Sequence, residues 1–170
     1  MSDKNRKSKK NLKLLAMCGI FTALVFIGTE LRIPTAIGHI NLGDAVILIA
    51  SYFIGPAAFF PAAIGSALGD LIAGYPYYIA PTFVIKGVMA IVTALMLRTK
   101  SAKGGKPGGV FLLILAFVVA EVIMIGGYFV FEMFMYGKEA ALGSVVFNLI
   151  QAAVSVATAG VLTHTVKLKK

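Results

Sequence analysis

The sequence is poor in the residues on which soluble enzymes and metalloproteins depend. Only 14% of its 170 residues are charged, seven are acidic, two are histidines and none is tryptophan. A soluble domain carries about a quarter charged residues, so this composition excludes an ordinary soluble fold. His39 and His164 fall at opposite surfaces in the pattern of apolar runs, so they cannot share a metal centre. We therefore expect no metal and no cofactor.

Other chemistry is missing as well. No phosphate-binding loop of the nucleotide-hydrolase type occurs, so the chain cannot drive transport with ATP alone. No serine, histidine and aspartate can be brought to one depth, which argues against a hydrolase and predicts that the protein is not an enzyme. The single cysteine, Cys18, can form no intramolecular disulfide and is expected to be a small buried side chain.

Apolar residues make up 59% of the chain, and they come in runs long enough to cross a bilayer, about 17 to 25 residues each. The pattern predicts an all-α integral membrane protein, a compact bundle of six transmembrane helices. Asp44 is expected to cap the second helix. The second and third helices are short for a crossing, so a fused, re-entrant hairpin around Gly55 and Pro56 is the alternative. The predicted helices are 12–31, 44–54, 59–73, 79–98, 110–135 and 140–166.

The formal charge of +9 is concentrated in three places that alternate with the apolar runs. This is the distribution that the positive-inside rule produces, so both termini are predicted to be cytoplasmic. Residues 1–11 and 167–170 become basic cytoplasmic tails around a transmembrane domain at 12–166. A nucleic-acid partner is not expected, because no aromatic interleaving accompanies the charge. The basic clusters are Lys4, Arg6, Lys7, Lys9, Lys10 and Lys13, then Arg98, Lys100, Lys103 and Lys106, and finally Lys167, Lys169 and Lys170.

Lys86 stands inside an apolar span, where a cation costs roughly 2.5 to 3.5 kcal/mol on insertion scales unless it has a partner. Counting residues from the helix ends places it in the outer half of the bilayer. Asp70 on the neighbouring helix lies at a similar depth. A structural ion pair with Asp70 and a contact with a captured solute are therefore the two alternatives for Lys86.

Polar residues from several helices share that outer half, which predicts a pocket that opens outward. Asn148 and Gln151 lie on one helix face and could either bind a solute or form interhelical hydrogen bonds. Glu132 is four residues from Tyr128, so both could line the pocket. Glu121 lies near mid-depth and could bind a ligand, take part in an ion path or stabilise the fold. The predicted substrate ligands are Lys86, Asn148, Gln151, Tyr128, Glu121, Asn41, Tyr78 and Thr82.

The first helix carries a stripe of small residues, Ala16, Gly19 and Ala23. Such stripes allow two helices to approach closely. The stripe could pack within the bundle, or it could dock a partner membrane protein.

Several motifs in the first half of the chain resemble those of the substrate-binding S components of energy-coupling factor (ECF) transporters, in the group that includes riboflavin-type S components. These motifs are Asn41-Leu-Gly-Asp44, Ser51-Tyr-Phe-Ile-Gly-Pro56, Gly65-Ser-Ala-Leu-Gly-Asp70, Gly74-Tyr75 and Thr82-Phe-Val-Ile-Lys86-Gly87.

The resemblance implies a subunit of a prokaryotic plasma membrane that captures a vitamin or vitamin precursor from outside. It would then dock, through the stripe on its first helix, on one transmembrane scaffold subunit and two ATPase subunits. The chain is short for a riboflavin binder and lacks tryptophan, so pyridoxine or hydroxymethylpyrimidine is the expected substrate. The alternatives are an autonomous proton-coupled carrier, suggested by Glu121, and a small membrane enzyme.

Overall fold

The structure is a computed structural model that describes residues 3–35, 38–101 and 109–168. These residues form α-helices and one short antiparallel hairpin, in which Ile33 pairs with Ile40. Short 3₁₀ turns at Gly55–Ala58 and Pro76–Tyr78 precede the third and fourth helices. The elements are α1 (Asp3–Glu30), β1 (Ile33–Thr35), β2 (Gly38–Ile40), α2 (Gly43–Ile54), α3 (Phe59–Ile72), α4 (Ile79–Ser101), α5 (Val110–Tyr136) and α6 (Lys138–Leu168).

The all-α membrane architecture is confirmed. Within the described part of the chain, five helical segments are long and apolar enough to cross a membrane, judged by length and composition. The second of these segments contains both α2 and α3, and the number of crossings stays a prediction. The segments are Lys4–Glu30, Gly43–Ile72, Pro76–Arg98, Val110–Tyr136 and Lys138–Thr165.

Two local predictions need correction. Helix α1 begins at Asp3 rather than near residue 12, because the lysines and arginine of the basic segment are themselves good helix formers. The stretch 34–43, which the predicted bounds leave without regular structure between the first two helices, contains most of the hairpin. Residues 102–108, in the stretch that the same bounds leave between the fourth and fifth helices, lie outside the described residues.

Helices α2 and α3 run in opposite directions along α1. Thr29, near the end of α1, lies against Gly43 at the start of α2 and against Gly69 near the end of α3. Cys18, three turns earlier in α1, has its sulfur 3.9 Å from the carbonyl oxygen of Ala57, in the turn between the two helices. This part of the chain therefore forms two antiparallel helices and not one continuous helix.

The reversal depends on Gly55. Its φ of +63° lies in the left-handed region that side chains with a Cβ avoid. Pro56 follows at once and occupies the first turn of the 3₁₀ segment, where its missing N–H leaves no bond unmade.

Helices α4, α5 and α6 are successively antiparallel. Thr82 near the start of α4 contacts Tyr128 in the second half of α5, and Ile114 near the start of α5 approaches Gly160 near the end of α6. The ends of α1, α3 and α5 thus meet the starts of α2, α4 and α6 beside the β-hairpin. We call this the hairpin end and the opposite one the tail end.

The core and the surface are both apolar. Leu48, Met89, Phe117 and Met124 are fully buried at the centre of the larger core cluster. Large side chains also point outward, and Phe111 and Phe134 are each 81% exposed. A helix bundle that is apolar inside and outside is suited to lipid rather than to water.

Candidate functional site

A cavity of about 430 Å³ opens among the helices at the hairpin end. Its volume falls in the range of small-molecule sites, about 300 to 1,000 Å³. Residues of α1, α3, α4, α5 and α6 line it, together with Asn41 from the segment that follows the hairpin. The structure brings these predicted ligands together on its walls: Asn41, Tyr78, Thr82, Lys86, Tyr128, Asn148 and Gln151.

Lys86 is bound within a chain of buried hydrogen bonds at the cavity. Its Nζ lies 2.5 Å from Oδ1 of Asp44, and the side chain is almost completely buried. Gln151 donates from Nε2 to Oδ2 of Asp44 at 2.7 Å, and the backbone N–H of Asn41 donates to Oε1 of Gln151 at 2.9 Å. Of the two alternatives for Lys86, the ion pair with Asp70 is wrong, because α2 brings Asp44 to the ammonium group. We call Lys86, Asp44, Gln151 and Asn41 the floor network.

The prediction that Asp44 caps α2 is also wrong. The cap position of α2 is Leu42, and no side chain caps it there. The backbone N–H of Gly43 instead donates to Oδ1 of Asn41 at 2.9 Å. The carboxylate of Asp44 is fully buried beside a cation, and compensation of that charge outweighs the smaller gain from capping a helix terminus.

Tyr128 joins α5 to the same site in two ways. Its hydroxyl lies 2.9 Å from Oγ1 of Thr82, and its ring centre lies 5.3 Å from Nζ of Lys86. The second distance is typical of a cation–π interaction. The aromatic face therefore adds a further stabilising contact to the buried ammonium group.

Near the ends of α3 and α5 the cavity is lined by aromatic rings around one carboxylate. Glu132 accepts a hydrogen bond from the hydroxyl of Tyr78 at 3.2 Å and another from the hydroxyl of Ser144. The rings of Tyr78 and Tyr136 are stacked with their centres 6.3 Å apart. Flat aromatic surfaces of this kind suit a planar ligand.

Ser66 and Asp70 form one wall of the cavity from α3. Both residues are buried, and neither Oγ of Ser66 nor Oδ2 of Asp70 has a hydrogen-bond partner. Sequence reasoning did not find Ser66, Asp44 or Ser144 as part of the site. One sequence feature could have indicated Asp44 and Asp70: they are two of only seven acidic residues, and they interrupt or border apolar runs.

Comparison with known proteins identifies the family. Residues 9–168 match the family described as "ECF-type riboflavin transporter, S component". The chain belongs to this family. The resemblance seen in the sequence motifs is thereby confirmed, and the family is one of transport proteins rather than enzymes.

One relative of known function supports the assignment, and an uncharacterised one is similar over most of the chain. This S component is 29% identical to the thiamine precursor transporter HmpT of Lactococcus lactis over 163 residues, which cover 93% of this chain and 90% of the relative. It is 28% identical to an uncharacterised protein of Pyrococcus woesei over 139 residues, which cover 81% of this chain and 88% of that one. Both similarities extend through most of the bundle.

Glu121 does not line the cavity of this S component. It is 2% exposed, and both of its carboxylate oxygens are buried without a hydrogen-bond partner. It borders an apolar groove between α5 and α6 instead. The geometry thus gives no support to a direct contact between Glu121 and a solute in the cavity.

The small-residue stripe of the S component faces away from the bundle. Ala16, Gly19 and Ala23 are all exposed, and a Cβ placed on Gly19 would have no atom within 4 Å. Cys18 and Val25 form the face of α1 that packs inward. The structure therefore does not support packing of the stripe within the bundle.

Proposed function

We propose that this S component crosses the membrane six times, has both termini in the cytoplasm, and captures its substrate from outside at the hairpin end. The opposed directions of α2 and α3 support two crossings in place of one. The start of α1 and the end of α4, which carry basic residues, lie together at the tail end. A cytoplasmic tail end agrees with the positive-inside rule.

The substrate that we propose is a vitamin or vitamin precursor of small size, hydroxymethylpyrimidine in the first place and pyridoxine in the second. The observation that carries the proposal is the cavity of about 430 Å³, in which tyrosine rings and polar side chains from several helices converge. The similarity to HmpT, a thiamine precursor transporter, favours the pyrimidine. A flavin is the less favoured substrate.

Binding by the purified protein tests this proposal. We expect hydroxymethylpyrimidine to bind with a one-to-one ratio in isothermal titration calorimetry, and we expect no chemical change in the recovered ligand. The Asn148→Leu variant should weaken binding, because Asn148 lines the cavity. Val146→Ala, on the same helix but exposed outside the cavity, is the matched control. The proposal fails if no ligand binds among hydroxymethylpyrimidine, pyridoxine, thiamine and riboflavin.

We also propose that the exposed stripe of Ala16, Gly19 and Ala23 docks on a transmembrane scaffold subunit that works with two ATPase subunits. Helix α1 presents this flat surface toward lipid, where a second helix can approach closely. Docking would supply the energy that the chain cannot obtain from ATP by itself.

A pair of glycine variants separates docking from folding. Gly19→Leu should leave substrate binding intact and abolish uptake by cells that contain the complete transporter. Gly126→Leu is the control, since Gly126 is equally open and lies on α5. Equal uptake by the two variants would exclude the stripe as the docking surface.

A further inference from the structure

The carboxylates around the cavity differ in how many of their hydrogen bonds are made within the protein. Both oxygens of Asp44 are bonded, one to Lys86 and the other to Gln151. Both oxygens of Glu132 accept from hydroxyl groups, those of Tyr78 and Ser144. These two carboxylates are held in place before any ligand enters.

The wall formed by Ser66 and Asp70, which we call the α3 wall, differs because it contains buried atoms whose hydrogen bonds are not made. Among the buried side-chain oxygens and nitrogens of the described cavity residues, those without a partner are Oγ of Ser66 and Oδ2 of Asp70. The two residues are four positions apart on α3, so they lie on one face of the helix, one turn apart. Both line the cavity. The fully buried atoms of the described cavity residues that have no partner thus lie on a single patch.

A buried polar atom without a partner destabilises the fold, and native proteins keep few of them. An unprotonated carboxyl oxygen accepts hydrogen bonds, whereas a serine hydroxyl both donates and accepts. The terminal torsion of an aspartate side chain is broad, so a small rotation presents either oxygen to the cavity. The group that fits this patch presents an N–H donor to Asp70 and a ring nitrogen acceptor to Ser66.

The charged residues that line the cavity favour the same class of ligand. Lys86 is the cation among the described lining residues, and its charge is compensated by Asp44. Asp70 and Glu132 add two carboxyl groups to the walls without a further lining cation. Arg32 does not line the cavity: its guanidinium is paired with Glu30 at 2.6 Å and donates to the carbonyl oxygen of Gly69 at 2.8 Å. An anionic ligand would meet repulsion here and a donor-rich neutral or cationic ligand would not.

We infer that Ser66 and Asp70 determine specificity, and that they select a nitrogen heterocycle with an amino group beside a ring nitrogen, in neutral or cationic form, against oxo analogues and anions. This inference rests on the proposed function and names the chemical class of the substrate of the same site. An aminopyrimidine carries the required donor and acceptor on adjacent atoms of one edge.

The test compares three ligands on the full-length protein in detergent: hydroxymethylpyrimidine with its amino group, the analogue in which oxygen replaces that amino group, and the monophosphate ester. We expect the wild type to bind the amino compound at least about tenfold more tightly than either of the others, the size of effect produced by one buried hydrogen bond. Asp70→Asn and Ser66→Ala should reduce that preference by a similar factor.

Melting temperature without ligand distinguishes recognition from a structural role. Oδ2 of Asp70 has no partner among the described residues, and the amide oxygen of an asparagine can still accept the side-chain hydrogen bond from Thr82. Asp70→Asn should therefore leave the melting temperature of the free protein unchanged or raise it, while a structural aspartate would lower it. Glu139→Gln makes the same chemical change at an exposed position away from the cavity and should alter neither affinity nor preference.

The outcomes separate the two proposals. If the wild type binds the amino compound and Asp70→Asn keeps the full preference for it, the role of the α3 wall is excluded and the capture function stands. Tighter binding of the oxo analogue or the phosphate ester by the wild type would overturn the proposed ligand class alone. Absence of binding to the amino compound and to every vitamin in the earlier panel would remove the capture function, and this inference with it.

Discussion

The two ends of the bundle contain buried polar groups of different kinds. At the tail end, buried hydroxyl groups donate to carbonyl oxygens of their own helix, four residues earlier. The bonds are Ser51 to Ile47 at 2.8 Å, Thr93 to Met89 at 2.8 Å and Thr163 to Ala159 at 2.6 Å. These contacts are local, so each of these three hydroxyl groups is satisfied by its own helix and not by the packing of helices against one another.

At the hairpin end the bonds connect distant parts of the chain. Lys86 and Asp44 are 42 residues apart, and Gln151 and Asp44 are 107 apart. Charged groups in a bilayer require such partners, and the partners hold the helices in one arrangement. The tail end thus packs through local bonds, whereas the bonds of the hairpin end position the walls of a cavity, where Oγ of Ser66 and Oδ2 of Asp70 have no partner among the described residues.

The largest effect is expected from breaking the ion pair of the floor network. Lys86→Met leaves the carboxylate of Asp44 buried without its cation, which should lower the free energy of unfolding by about 3–5 kcal/mol. Thermal melting and denaturant titration in detergent measure the loss. Lys138→Met removes an exposed lysine and should change neither. Recovery in the Lys86→Met, Asp44→Leu double variant is expected, and additive losses would contradict the pairing.

A smaller effect is expected at Gln151, which bonds to both Asp44 and Asn41. Gln151→Leu should lower the free energy of unfolding by about 1–3 kcal/mol, because two buried groups lose their partner. Ser155→Ala, one turn further along α6, removes a buried hydroxyl that has no partner and should cost nothing. Similar losses in both variants would show that long-range bonds are no more important than isolated buried hydroxyls.

Glu121 belongs neither to the floor network nor to the local hydrogen bonds of the tail end. Its substitution should raise the free energy of unfolding instead of lowering it. Glu121→Gln replaces a buried carboxyl group without partners, so it should raise the free energy of unfolding by about 1 kcal/mol. Glu132→Gln is the contrast, since both oxygens of Glu132 accept hydrogen bonds and the variant should be less stable.

The same Glu121 variant tests the carrier alternative. Liposomes that contain the S component as their sole protein should show no uptake in response to an imposed pH gradient. Uptake that follows the gradient and disappears in Glu121→Gln would favour an autonomous proton-coupled carrier over a capture subunit.

The smallest effect is expected at the hydrogen bond between Thr82 and Tyr128, 2.9 Å long. Thr82→Val should lower the free energy of unfolding by about 0.5 kcal/mol, the lower end of a net hydrogen-bond contribution, because the Tyr128 hydroxyl borders the cavity where water can replace the partner. Thr165→Val, whose hydroxyl bonds to its own helix at an exposed site, should be neutral in melting experiments. A loss as large as that of Gln151→Leu would place Thr82 within the floor network.

The helices were largely predictable from the sequence. The fifth was expected at 110–135 and spans Val110–Tyr136. Long apolar runs suffice for such predictions because helix formation in lipid depends on the composition of one segment. The hairpin was missed because Pro34 and the nearby glycines are typical of loops, while its anchoring depends on contacts with other elements, such as the bond from Asn41 to Gln151.

The residues of the site were predictable by depth, but their partners were not. Counting from the helix ends placed Lys86, Tyr128 and Gln151 at one level, and the structure brings them to one cavity. The same counting suggested Asp70 for Lys86, whereas the structure pairs Lys86 with Asp44. The depth of a residue in the membrane can be counted along its own helix. Its ion-pair partner also depends on which neighbouring helix its side chain faces, and the count does not contain that information.

By itself, the sequence determined that this chain is a helical membrane protein of the S component family, since hydropathy and motifs are properties of contiguous segments. The tertiary structure alone decided that Asp44 neutralises Lys86, that the small-residue stripe faces outward, and that Ser66 and Asp70 keep unmet hydrogen bonds. The physical reason is that charge compensation and hydrogen bonding act over a few ångströms between segments, and those distances exist only after the helices have packed.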